Sequence, residues 1–213
     1  MSLFDEASAR PPGRPDATPF SVPPWLGPPQ EQIGGTVGLQ GFLVQTQTLV
    51  IALTSATAFA AGCAFDIVWS ARRGDHNDEQ GAHRQRAIDQ HQQMLRRPSA
   101  PTDRALRFAI QLADGRNITT TGVPGPGRNN LATPPHDPVL LDLSGSGCGA
   151  QDGWTQQVRL WLWPLPPPGT VELTCTWPAA DVALTHISLD ANALLAAAAR
   201  TQPLWPRRHD PRR

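Results

Sequence analysis

The chain has 213 residues, 18 of them basic and 18 acidic. A net charge of zero supplies no general field for nucleic acid or an anionic membrane, so neither is expected as a partner. The length fits one domain with tails and is enough to bury a core without disulfide staples.

Every basic residue is arginine, and lysine and tyrosine are both missing. This reads as GC-rich coding bias. Three cysteines, Cys63, Cys148 and Cys175, lack metal-type spacing and are odd in number. A reduced, cytoplasmic chain follows more simply than a disulfide framework. The opening MSLFDEASARPPGRP lacks the basic start and apolar run of a secretory signal.

Residues 1–32 form a proline-rich tail. Pro11, Pro12, Pro15, Pro19, Pro23, Pro24, Pro28 and Pro29 forbid regular hydrogen-bonded structure and give polyproline character. Phe20, Val22, Trp25 and Leu26 are apolar enough to pack along a domain. Residues 36–45, TVGLQGFLVQ, predict a strand, with Gly38 and Gly41 marking a bulge or close approach.

No charge falls between Glu31 and Asp66. By length and hydropathy, a transmembrane helix within 42–65 is one reading of that stretch. Against it stand Thr48, Thr54, Ser55 and Thr57, and the alternation in CAFDIVWS at 63–70. Two strands, 48–59 and 63–71, turning at Ala60-Ala61-Gly62, account for the same residues, so no membrane span is expected.

Residues 74–101 read as a polar, flexible insertion. A helix over 84–96 has only Ile88, Met94 and Leu95 as large apolar residues, too few for a wide stripe. His76, His83 and His91 never fall at i, i+3 or i+4 and read as solvated, so no metal is expected.

Leu106, Phe108, Ile110 and Leu112 alternate along a strand at 106–113. Asp114-Gly115-Arg116 is a turn signal, and 117–121 continue as a short strand. Residues 122–137 read as a loop, 139–143 as a strand and 144–153 as a flexible glycine loop. That loop has no Lys-Ser/Thr to make a phosphate cradle.

The strongest pattern of period two is QVRLWLWPLPPPGTVELTCTW at 157–177. It reads as two strands making a hairpin over a proline turn. Val158, Leu160 and Leu162 take the core face; Arg159, Trp161 and Trp163 take the other. A last strand edge falls at 187–189. Asp190 caps a helix with Leu194, Leu195, Ala198 and Ala199 on its apolar side. Gln202-Pro203 stops that helix and Trp205 is expected to anchor the end. Residues 206–213, with Arg207, Arg208, Arg212 and Arg213, read as a solvated basic tail.

The expected fold is all-β: one domain over 33–205, an immunoglobulin-like or jelly-roll-like β-sandwich of about seven to nine strands with one C-terminal α-helix. Four stretches carry a resemblance. They are PPWLGPP at 23–29, LRFAIQLADGR at 106–116, WLWPLPPPG at 161–169 and LDANALLAAAARTQPLW at 189–205. Together the chain resembles a family of uncharacterised proteins of high-GC actinobacterial genomes. That resemblance implies a β-rich single domain, assigns no activity, and supplies no catalytic residue. The polar insertion is longer here.

For function, no GxSxG occurs. His136 beside Asp137, and the strand carboxylates Asp66, Asp142 and Glu172, match no reaction-specific constellation. No catalytic residue, metal ligand or cofactor is therefore assigned. The candidate binding residues are Arg159, Trp161 and Trp163. Alternate residues stand about 7 Å apart on one strand face, giving a flat shelf, and self-docking of the proline tail on it is expected. The leading expectation is a non-enzymatic protein-interaction or scaffold domain with an unknown protein partner. A small-ligand or carbohydrate-binding module using the Arg/Trp shelf is the alternative; an enzyme of unrecognised type is a further one.

Overall fold

The computed structural model describes residues 22–72, 82–83, 86–91, 104–122, 133–143, 148–150 and 153–206. The readings of residues 1–21, of most of the insertion at 74–101, of 123–132 and of 207–213 lie outside the described residues.

The fold is all-β. The charge-free stretch and the residues just after it form β3 (Leu49–Phe59) and β4 (Gly62–Arg72), an antiparallel hairpin with Phe59 opposite Gly62 across the turn. Ile51, Leu53, Phe65 and Ile67 are buried as the alternation requires. Among the described residues no helix is long and apolar enough to cross a membrane. β2 (Gly35–Gln45) pairs with β3, and its register slips between Gly38 and Gly41.

β5 (Arg107–Gln111) and β6 (Asn117–Gly122) are the two strands around Asp114-Gly115-Arg116. Gly115 has φ 86°, a left-handed conformation that suits glycine. Its N–H donates to the Leu112 carbonyl at 2.9 Å, and the Leu112 N–H donates to Arg116 at 2.9 Å.

β6 runs parallel to β7 (Val139–Asp142), which pairs antiparallel with β9 (Gly153–Trp163). β10 (Thr170–Trp177) lies between β5 and β11 (Val182–Asp190). The main ladder runs β11-β10-β5-β6-β7-β9-β4-β3-β2. It curls until its ends meet: Gly41 of β2 backs onto the Ile187 side chain of β11. No ladder joins β2 and β11 among the described residues, so the sheet is a nearly closed barrel. Opposite parts of the curl touch through Trp69 of β4 and Trp177 of β10, whose ring centroids are 5.3 Å apart.

The seam is crossed at one end by helix α1 (Ala191–Ala198), which lies on β2 and β3. The Asp190 Oδ1 accepts from the Asn192 N–H at 2.8 Å, the expected N-cap. Gly35 backs directly onto the Ala197 carbonyl, where a β-carbon would collide with the helix backbone. Beyond α1, β12 (Gln202–Pro203) pairs with β1 (Gln32–Ile33), so the two ends of the described chain meet in a small ribbon.

Four sequence readings are corrected. β9 and β10 are not a hairpin: β9 pairs with β4, β7 and β8 (Cys148–Ala150), while β10 pairs with β5 and β11. The connection Pro164-Leu165-Pro166-Pro167-Pro168-Gly169 carries four prolines without N–H groups to continue a ladder, and it leads across the barrel instead. Part of the glycine loop is the strand β8, whose residues extend the β9 ladder at its first residues. The last strand is β11, nine residues long rather than an edge at 187–189. Trp205 is 67% exposed, and the end is held instead by the β1–β12 ribbon and the Leu204 N–H donating to the Glu31 carbonyl at 2.8 Å.

Candidate functional site

The three residues singled out on β9 separate into two environments. Trp161 is fully buried in an apolar cluster on the outer face, with Phe59, Ala64 and Leu141. Phe59 meets its ring edge-on, centroids 5.9 Å apart. Its cover comes from the start of the described chain. Pro23 to Leu26 form a turn closed by the Leu26 N–H donating to the Pro23 carbonyl at 2.9 Å. The Trp161 indole N–H donates to the Pro24 carbonyl at 3.0 Å. Trp25 meets Trp163 edge-on at 6.0 Å. The cover is thus the Pro23–Leu26 turn, while α1 lies on β2 and β3.

Arg159, two residues before Trp161, stays open. Its Nε donates to Asp66 Oδ1 at 2.7 Å from the neighbouring strand β4. Ser55 of β3 donates to the other carboxylate oxygen at 3.1 Å, and Thr54 donates to the Asp66 carbonyl at 2.9 Å. Three adjacent strands therefore hold one carboxylate, and the carboxylate holds the guanidinium. The hydrogen bond to Asp66 raises the Arg159 pKa above its ordinary value, so its charge is permanent. The Arg159 side chain is 51% exposed. Around it lies a shallow groove of about 450 Å³ lined by Thr54, Asp66, Val68, Gln157 and Arg159, among others.

Other candidates are more dispersed. His136 and Asp137 approach to 3.4 Å, but the two side chains are 100% and 91% exposed. Among the described residues no group of His, Cys, Asp and Glu is placed to hold a metal. Cys63 and Cys175 are free and buried as expected, and burial pushes both thiols up.

A second cluster lies at one end of the barrel, where Trp69 and Trp177 meet. His91, read from sequence as solvated, sits in a helical segment at residues 86–91, next to the buried Ala87 and Ile88. Its ring lies 5.6 Å from that of Trp69 and 5.3 Å from that of Trp177. Burial lowers its pKa, and the nearby charge of Asp142 works the other way. Gln156 of β9 is 1% exposed and directly opposite Trp69 in the ladder. Trp154 follows in the same core-facing phase, opposite Ala71. Among the described residues, the Nε1 atoms of Trp69 and Trp154 and the Nδ1 of His91 are buried without a hydrogen-bond partner. The signal was legible: Trp154 and Gln156 share the phase of Val158, Leu160 and Leu162, where polar groups are unexpected.

No family model matches the chain, and no curated protein is significantly similar to it.

Proposed function

We propose that the protein is a non-enzymatic interaction domain that docks a protein partner on the outer face of β4 and β9. The observation carrying this reading is the Asp66–Arg159 pair, fixed by three strands at the floor of a groove, with half of the arginine side chain open. A pre-positioned guanidinium with donors left toward solvent suits a carboxylate presented by a partner. Rigid strands around the groove lower the ordering cost of docking. The carbohydrate alternative is less well supported, because a sugar needs an open aromatic face and Trp161 is wholly covered.

In the same reading the curled sheet is a two-layer sandwich of immunoglobulin-like or jelly-roll-like type, supported by the Trp69–Trp177 contact across the core. A cytoplasmic location is supported by the two free, buried cysteines. Kinship with the actinobacterial family rests on the four sequence stretches that resemble it.

The test is site-directed photocrosslinking in cells. A crosslinker at Gln157, in the groove, should trap one protein repeatedly. A crosslinker at the exposed Leu184 of β11 should not trap it. Equal trapping from both positions would refute the docking face.

A further inference from the structure

We propose that the inner end of the barrel is a binding slot for a small, flat, neutral heteroaromatic ligand that accepts hydrogen bonds, and that the His91 side chain fills this slot in the structure. The proposal concerns a different face of the sheet from the docking groove and does not depend on it.

The walls come from opposite parts of the curl. Trp69 of β4 and Trp177 of β10 cross at 73° with centroids 5.3 Å apart. Trp154 and Gln156 of β9 continue the wall beside Trp69. Trp69 is completely buried, yet its indole N–H finds no acceptor among the described residues; Trp154 is half-buried, and its buried Nε1 likewise has none. An unpaired buried donor is costly, and natural interiors leave few of them. The mouths of β-barrels are common ligand sites.

The chemistry of the wall limits the ligand. Two indole N–H groups call for acceptor atoms. Aromatic faces and edges at this spacing call for a flat ring. Trp69 and Trp177, the aromatic walls, are 0% and 1% exposed, and such a dry environment disfavours a charged ligand. Imidazole has these properties, and the imidazole ring of His91 packs against both Trp69 and Trp177 in the corner where those two rings meet. Ala87 and Ile88, 3% and 2% exposed, hold its helical turn in place. A ligand must displace the ring, so a free site is a minor state and removing the ring strengthens binding.

The experiment titrates the full-length protein with purine, read by tryptophan fluorescence and calorimetry. Far-UV circular dichroism checks each variant's fold. Saturable binding to the wild type is expected, tighter by roughly tenfold in His91→Ala because the competing ring is gone. Trp69→Phe, which keeps a ring and loses the N–H, should weaken binding by about fivefold, the worth of one neutral hydrogen bond. Should His91→Ala not fold, the wild type against Trp69→Phe decides alone. Three results overturn the proposal. They are no saturable purine binding to any folded form, equal affinity in Trp69→Phe and wild type, or binding of tetramethylammonium in place of purine.

Discussion

The indole N–H of Trp161 donates to the carbonyl of Pro24 at 3.0 Å. This bond ties the first described turn of the chain to the middle of the sheet and closes one face of β9. Replacing Trp161 by phenylalanine keeps an aromatic ring and removes the donor. The Pro24 residue is exposed, so water can take over its carbonyl, and the cost is expected at about 1 kcal/mol. Trp161→Ala should cost about 3–5 kcal/mol, because a fully buried aromatic side chain is lost. Urea denaturation of the two variants measures both.

Removing residues 1–26 should uncover the Trp161–Trp163 shelf. Acrylamide quenching of tryptophan fluorescence is expected to rise, with the rest of the fold retained because β1 and its partner β12 remain. Unchanged quenching would contradict the covering role of the Pro23–Leu26 turn.

Acid should loosen the barrel end. The pKa of His91 in the folded protein lies below its ordinary 6.5 because of burial. Between those two values the unfolded chain binds a proton that the folded chain does not. The contribution is therefore complete above the unfolded value and declines as pH falls through it. Denaturant midpoints compared at about pH 7.5 and about pH 5.5 should fall more for the wild type than for His91→Phe, which lacks this proton.

The contact of Gly35 with α1 leaves no room for a side chain. Gly35→Ala is expected to destabilise by about 1–3 kcal/mol, the usual range for overpacking, since the obstacle is helix backbone at Ala197. Asp190→Ala, which removes the cap on the same helix, should cost about 1 kcal/mol. Thermal or chemical denaturation measures each.

Local structure was legible where alternation and turn chemistry coincide. The β3–β4 hairpin, the Asp114-Gly115-Arg116 turn and the Asp190 cap all follow from neighbours in sequence. Pairing between distant strands did not follow. The strong alternation at 157–177 identified two strands and the face each residue takes. It carried no information on partners: β9 joins β4 and β7, while β10 joins β5 and β11. The same limit applies to the place of His91 in the end cluster. His91 looked solvated because its surrounding segment is polar, and only the tertiary meeting with Trp69 and Trp177 gives it an aromatic environment. On the outer face, sequence placed Arg159, Trp161 and Trp163 together, whereas the structure covers Trp161 and leaves Arg159 open beside Asp66.

Docking on the β4–β9 face depends on Arg159. The direct measurement is the affinity of the protein trapped through Gln157, purified and titrated against wild type and Arg159→Glu. Charge reversal opposite a carboxylate should weaken binding by at least about thirtyfold, equivalent to about 2 kcal/mol. The same titration with Trp205→Ala, far along the chain from the groove residues, should match the wild type. An Arg159→Glu variant that binds as tightly as the wild type would contradict the account.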